Sequence, residues 1–185
     1  MSEEKGFTHQ GRKVYHSDMP AATIEMPPIG ILRPELEGQR RSIPQDSKYL
    51  YGVSGTGKSV LLRTWVALAN ERDDGSATYI EELQLHTILD RPLEFCSFDL
   101  AWLSTRPVLA LDELWYSPNW SAISNRARAN VAALIERRHN LTVDSPGAYR
   151  TFAASNKPLS QAPVTDQERR RLAEIFSSEI LVAGE

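Results

Sequence analysis

Cysteine, long apolar runs and an excess of basic charge are all scarce in this 185-residue sequence. The single cysteine, Cys96, excludes an internal disulfide framework and suits a reducing compartment. No stretch approaches the roughly 18 consecutive apolar residues that a membrane-spanning helix needs, and the polar N-terminus has no apolar signal region. The net charge of -3 lacks the strong basic field of a dedicated nucleic-acid binder. These absences predict a soluble, intracellular, cytoplasmic protein with no membrane partner.

The N-terminal part of the chain differs in composition from the rest. Its prolines, which disfavour long helices and favour extended or irregular chain, are Pro20, Pro27, Pro28, Pro34 and Pro44. We therefore divide the chain into a proline-rich N-terminal arm, residues 1–45, and a second domain, residues 46–185. The arm is expected to lie on the core or to be partly disordered, and the functional alternative is a docking segment for a partner.

Beyond residue 45, strand-like and helix-like segments alternate. Apolar residues at three- and four-residue steps predict helices in "GKSVLLRTWVALANERDD", "LEFCSFDLAWLS", "ISNRARANVAALIERRHN" and "DQERRRLAEIFSS". Short apolar segments predict strands in "KYLYG", "ATYIEEL", "RPVLALDEL", "YRTFAASN" and "EILVAG". This alternation predicts an α/β fold, in which helices cover both faces of a parallel sheet.

The turn between the first strand and the first helix fits the pattern G-x-x-x-x-G-K-[S/T]. Glycines let the backbone bend so that several N–H groups point at phosphate oxygens, and the following helix presents its positive end. Lys58 would reach the β- and γ-phosphates of ATP, and Ser59 would offer its hydroxyl to Mg²⁺. The predicted nucleotide-binding residues are Gly52, Val53, Ser54, Gly55, Thr56, Gly57, Lys58, Ser59 and Val60. The alternative is a glycine-rich turn that binds nothing.

Polar side chains stand at the ends of two later strands. Asp112 and Glu113 follow a buried apolar run, where Asp112 would hold Mg²⁺ through water and Glu113 would polarise the attacking water. Asn156 ends the strand "TFAASN", between the loop and the acidic pair, where it could orient water against the γ-phosphate. The alternatives are a solvated strand end for the acids and a plain turn before Pro158 for Asn156.

Arginines and aromatic residues supply further candidates. One of Arg169, Arg170 and Arg171 could reach the ATP of a neighbouring subunit, or the three could form a solvated helix face. For Arg126, Arg128, Arg137 and Arg138, we favour solubilising a helix over contacting nucleic acid. For Trp115, Tyr116 and Trp120, we favour packing under a loop over stacking on bases. The scattered histidines predict no metal-ligand cluster.

The combined motifs resemble an AAA+ ATPase core, and within that superfamily the helicase loaders of the DnaC and IstB type, with DnaA as a relative. The resemblance covers about residues 48–183 and rests on "YGVSGTGKSVLL", "VLALDEL", "ALIERRHN…GAYRTFAASN" and "RRRLAEIF". It implies a three-layer sandwich whose sheet has the strand order 5-1-4-3-2, with ATP at the carboxyl ends of the strands. It also implies an arginine that acts in trans, a role that maps best onto Arg171, with Arg170 as the next candidate. The sequence leaves no room for the helical lid domain, which we expect to be absent.

The leading hypothesis is an ATP- and Mg²⁺-dependent ATPase that serves as a helicase loader or DNA replication accessory protein. The expected partners are further copies of this chain or a hexameric helicase, with single-stranded DNA as an additional ligand. One alternative is a superfamily 3 helicase of viral or plasmid type, whose third motif is similar to "SNKP". Another is an ATP-gated adaptor with little turnover.

Overall fold

The computed structural model describes residues 7–9, 12–14, 42–72, 77–115 and 123–182. The first two ranges form strands β1 (Phe7–His9) and β2 (Arg12–Val14), which pair antiparallel as a hairpin. This hairpin was not among the elements predicted from the sequence. The first four prolines of the arm lie outside the described residues, and the division of the chain at residue 45 stays a prediction.

Five strands and five helices form most of the remainder of the described chain, with two helices in succession between the second and third of these strands. The strands are β3 (Lys48–Tyr51), β4 (Ala77–Glu81), β5 (Val108–Leu114), β6 (Arg150–Ser155) and β7 (Ser178–Leu181). The helices are α1 (Lys58–Arg72), α2 (Glu82–Leu89), α3 (Leu93–Ser104), α4 (Asn125–Asp144) and α5 (Asp166–Ile175), with a 3₁₀ turn at Leu159–Gln161.

The five strands form one parallel sheet in the order β4-β5-β6-β3-β7. If β3 is numbered strand 1, the sheet read from the β7 edge has the order 5-1-4-3-2, which is the order that the family resemblance implies. The carboxyl ends of β3, β5 and β6 are therefore neighbours. Because parallel strands point the same way, the polar residues that follow these strands are brought to one edge of the sheet.

The sheet is the middle layer of a three-layer sandwich, as predicted. Helix α1 covers one face, where Leu61, Leu62 and Trp65 pack on Leu50 and Phe152. The other four helices cover the opposite face, where their core residues include Leu85, Leu100, Leu134 and Leu172. Burial from both sides explains the continuous apolar run of β5, whose first five residues are all buried. No helix in the described ranges is long and apolar enough to cross a bilayer.

The second predicted strand is shorter than the sequence pattern indicated. "ATYIEEL" suggested a strand through Leu83, but β4 ends at Glu81 and helix α2 begins at the next residue. A reciprocal capping box explains the change, since Glu81 and Gln84 each bond the backbone of the other. Leu85 and Leu89, four residues apart, then bury one face of the new helix.

Candidate functional site

A tight glycine turn joins β3 to α1 at the carboxyl edge of the sheet. Gly52, Gly55 and Gly57 have φ angles of 145°, 80° and 94°, in the region that side-chain-bearing residues rarely adopt. Gly52 also lies against the neighbouring strand, because a Cβ at this position would be 2.2 Å from the carbonyl oxygen of Val182. The Thr56 hydroxyl donates to the Val53 carbonyl at 3.1 Å and closes the turn from within.

Lys58, the first residue of α1, folds its ammonium group over this turn. Its Nζ donates to the carbonyl oxygens of Gly52 at 2.9 Å and Val53 at 2.7 Å, and to Oδ1 of Asn156 at 3.3 Å. Burial lowers the pKa of Lys58, and the negative charge of Asp112 acts in the opposite direction. The Lys58 ammonium therefore bonds both the backbone of the turn and the Asn156 side chain at the end of β6.

Asp112 is 2% exposed near the end of β5, and two donors hold its carboxylate. The Tyr79 hydroxyl donates to Oδ2 at 2.5 Å, and the backbone N–H of Glu113 donates to Oδ1 at 2.8 Å. Burial raises the pKa of Tyr79, and the Asp112 carboxylate adds to this effect, so Tyr79 remains a proton donor. No sequence pattern singled out Tyr79, whose only signal was its place two residues before the end of β4.

Glu113 is exposed beside the buried Asp112. Burial raises its pKa, as do the charges of Asp112 and Glu81, whereas Arg63 lowers it. Arg63 lies 3.6 Å from the Glu81 carboxylate and 5.1 Å from the centre of the Tyr79 ring. Glu113 is thus a carboxylate with an elevated pKa. Glu81 and Arg63, which no sequence pattern singled out, both influence that pKa.

One cavity of about 280 Å³ brings most of the predicted residues together. Its lining is Ser54, Gly55, Thr56, Gly57, Lys58, Ser59, Val60, Asp112, Glu113, Ala154, Ser155 and Asn156. No group of three His, Cys, Asp or Glu residues in the described ranges could hold a metal ion by itself. A cation in this cavity would therefore need oxygen ligands from water or from a bound phosphate in addition to protein groups.

A larger cavity, of about 400 Å³, lies between α2, α3 and the edge strand β4. Its lining is mainly apolar and includes Leu83, Ile88 and Trp102. Its one carboxylate, Asp99, is paired with Arg91 at 2.5 Å. This cavity lacks the converging charged groups of the smaller cavity beside the glycine turn, which we call the glycine-turn cavity. The glycine-turn cavity is therefore the stronger candidate for a catalytic site.

The three arginines of α5, Arg169, Arg170 and Arg171, do not line the glycine-turn cavity. Arg171 pairs with Glu136 of α4 at 2.9 Å, and Arg169 pairs with Asp166 at 2.7 Å. A role for Arg171 in a second subunit is not tested by this arrangement and stays a prediction. Trp115 is buried in the core, as the packing interpretation expects, whereas Tyr116 and Trp120 lie outside the described residues.

The prediction that Arg138 solubilises a helix face is wrong. Arg138 is 2% exposed, and its guanidinium donates to the carbonyl oxygens of Ser104, Arg106 and Arg150 and to the Thr151 hydroxyl. The helical period explains the difference, because Arg138 lies on the same face of α4 as the buried Leu134 and Ile135.

The sheet order, the layers and the glycine turn between β3 and α1 define the α/β fold of P-loop NTPases of the AAA+ type. No protein-family model matches the chain, and no curated protein is significantly similar to it in sequence. Solved structures, in contrast, match the fold.

The DnaI crystal structure is 19% identical with a TM-score of 0.58, over 77% of this chain and 78% of that one. AMPPCP-bound DnaA from Aquifex aeolicus is 16% identical with a TM-score of 0.59, over 75% of this chain. A DnaA structure bound to AMPPCP and single-stranded DNA is 16% identical with a TM-score of 0.60, over 80% of this chain. This chain spans only 40% and 44% of the two DnaA chains. At these identities the likeness establishes the fold alone.

Proposed function

We propose that this chain binds ATP with Mg²⁺ and hydrolyses it to ADP and phosphate, in a DNA replication role of the helicase-loader type. The observation that carries the proposal is the convergence of Lys58, Asp112, Glu113 and Asn156 on one cavity at the start of α1. A polyanion in this cavity would meet backbone N–H groups of the turn, the positive end of a helix and one ammonium group.

The residues of the cavity fit a hydrated Mg²⁺. The Ser59 hydroxyl and the Asp112 carboxylate both line it, and oxygen ligands completed by water and phosphate suit this ion. When bound, Mg²⁺ would neutralise charge on the β- and γ-phosphates. Tyr79 would keep Asp112 oriented, because its hydroxyl already occupies one of the two carboxylate oxygens.

The remaining residues would carry the hydrolytic step. Glu113 would accept a proton from a water whose oxygen attacks the γ-phosphorus. The bond from that phosphorus to the β,γ-bridging oxygen breaks, and its electron pair leaves with ADP. Asn156 would orient the water, and Lys58 would exchange the carbonyls of Gly52 and Val53 for phosphate oxygens.

Binding and turnover are tested separately with two variants and a control. Lys58→Ala should weaken binding of an ATP analogue at least about 100-fold, since charge-assisted hydrogen bonds contribute about 1.5–3 kcal/mol each. Glu113→Gln should bind normally and lose about 100-fold or more in phosphate release. Lys48→Ala is the matched control, because Lys48 contacts Ser177 and Asp46 at the start of β3. Unchanged analogue binding by Lys58→Ala would refute the proposed pocket.

The loader role draws support from DnaI, which matches over similar shares of both chains. In this role, a hexameric helicase would be captured in the presence of ATP, and single-stranded DNA would be a further ligand. Arg171 would act on the ATP of a neighbouring copy after leaving Glu136. Arg171→Ala should then abolish the rise in specific activity with protein concentration, while the exposed Arg137→Ala should keep it. Equal loss of activity by Arg171→Ala at every dilution would reject action in trans.

A further inference from the structure

The segment that carries Glu113 has an unusual backbone. Glu113 and Trp115 have φ angles of 57° and 64°, although neither is a glycine. The pairing of β5 with β6 also shifts register between Leu111 and Leu114. Such conformations are unfavourable for residues that carry a Cβ, and they persist only where the surroundings hold them. The direction of the Glu113 side chain therefore depends on what fixes this turn.

Three hydrogen bonds fix three successive residues of the turn. The Asp112 carboxylate accepts from the N–H of Glu113 at 2.8 Å. The Ser155 hydroxyl donates to the carbonyl oxygen of Leu114 at 2.6 Å. The Glu82 carboxylate accepts from the N–H of Trp115 at 2.8 Å. The turn is thus held from within β5, from β6 on one side and from the start of α2 on the other.

Glu82 has no part in the candidate mechanism, and unlike Asp112 and Ser155 it does not line the cavity. It is the first residue of α2, the residue is 4% exposed, and its bond to Trp115 is buried. A buried carboxylate is costly unless it is hydrogen-bonded. A carboxylate in the first turn of a helix is stabilised by the helix dipole. The Glu82 carboxylate also contacts Trp115, the residue that follows β5.

We propose that Glu82 is a positioning residue for hydrolysis. By holding the N–H of Trp115 it keeps the left-handed turn formed, and the turn aims the Glu113 carboxylate into the cavity. This inference rests on the proposed ATPase function, because Glu82 acts through Glu113 and touches neither nucleotide nor metal. A role in stability alone would affect folding without separating turnover from binding.

Two substitutions at this position distinguish positioning from folding. Glu82→Ala removes the acceptor, and we expect kcat for ATP hydrolysis to fall at least about tenfold while the Kd for an ATP analogue stays within about twofold. Glu82→Gln keeps an acceptor oxygen at the same reach, so kcat should recover to within about threefold of wild type. The control is Gln84→Ala, which breaks the capping box that Gln84 forms with Glu81 at the start of α2 without touching Trp115.

The outcomes separate this inference from the proposed function. Normal kcat for Glu82→Ala in an active protein overturns the positioning role, as does failure of Glu82→Gln to recover activity. An equal loss in Gln84→Ala assigns the effect to the start of α2 and also overturns it. Absence of hydrolysis in the wild type instead refutes the ATPase proposal, and with it any catalytic consequence of Glu82.

A measurement that does not need turnover tests the contact itself. In protein labelled with ¹⁵N-tryptophan, the backbone amide proton of Trp115 should exchange with solvent at least about tenfold faster in Glu82→Ala than in wild type. Glu82→Gln should retain the wild-type rate. Equal exchange rates in all three proteins would show that Glu82 does not hold the turn, whatever the activity of the protein.

Discussion

The buried guanidinium of Arg138 gives the sharpest stability prediction, because its neighbour provides a matched control. Arg138→Met removes the four hydrogen bonds to Ser104, Arg106, Arg150 and Thr151 while keeping most of the apolar side-chain length. Arg137 is adjacent in sequence and exposed. Arg137→Met therefore makes the same chemical change on the same helix without removing buried contacts.

The magnitude follows from the contacts that are lost. Each hydrogen bond to a charged group contributes about 1.5–3 kcal/mol, and the acceptors left behind are largely buried backbone groups. The cost of desolvating the buried guanidinium offsets part of this stabilisation, since its hydrogen-bond partners are all neutral and burial lowers the pKa of Arg138 to about 10. We expect a net loss of about 3–5 kcal/mol in the free energy of unfolding. For a chain of this length that corresponds to a fall of about 6–20 °C in Tm.

Urea unfolding followed by circular dichroism measures both variants under the same conditions. Arg137→Met should stay within about 0.5 kcal/mol of wild type. Arg138→Met should also bind an ATP analogue normally below its Tm, because its contacts lie at the amino ends of β5 and β6, opposite the cavity. A loss below about 1 kcal/mol for Arg138→Met would refute the reasoning that this guanidinium holds the end of α3 and the starts of these strands.

Two further predictions concern the cavity. Glu113 must be ionised to act as a base, and its pKa is raised, so kcat should fall as the pH drops through that raised value. Glu81→Gln removes a charge that raises this pKa and should move the acid limb of the kcat profile to lower pH, whereas Arg63→Gln should move it to higher pH; shifts in the same direction would contradict the assignment. In urea unfolding, Gly52→Ala should lose about 2–4 kcal/mol, because its Cβ meets backbone, and Gly55→Ala only about 1 kcal/mol, because its Cβ meets nothing. Equal losses for the two glycines would contradict the steric argument.

The strand segments and the phosphate-loop pattern could be predicted because local sequence determines both. A continuous apolar run such as Val108–Leu111 suits a strand buried on two faces, and the glycine spacing suits one backbone bend. Parallel strands then bring Asp112 and Asn156 to the same edge of the sheet, whatever the details of the connecting helices. The order of the strands was therefore sufficient to predict that Asp112 and Asn156 lie at the same edge of the sheet.

The supporting residues of the site could not be predicted in the same way, because their partners lie on other strands. Tyr79 reaches Asp112 from β4 to β5, and Glu82 reaches Trp115 from the start of α2. Their separation in sequence is 33 residues in both cases, and neither carries a local pattern. Arg138 was misjudged for a different reason: its spacing from Leu134 and Ile135 places it on the buried face of α4, but its charge suggested a solvated one.

The end of β6 links the two charged parts of the cavity. Ser155 donates to the carbonyl oxygen of Leu114 and so holds the turn of Glu113, while the next residue, Asn156, accepts from the ammonium of Lys58. Ser155 also pairs with Tyr51, the residue just before the glycine turn. A displacement of this strand end would therefore change the position of the cation and the direction of the carboxylate together. In the proposed ATPase, exchange of Asn156 for phosphate at Lys58 would act next to the residue that braces the turn of Glu113, and would so link nucleotide binding to the direction of that carboxylate.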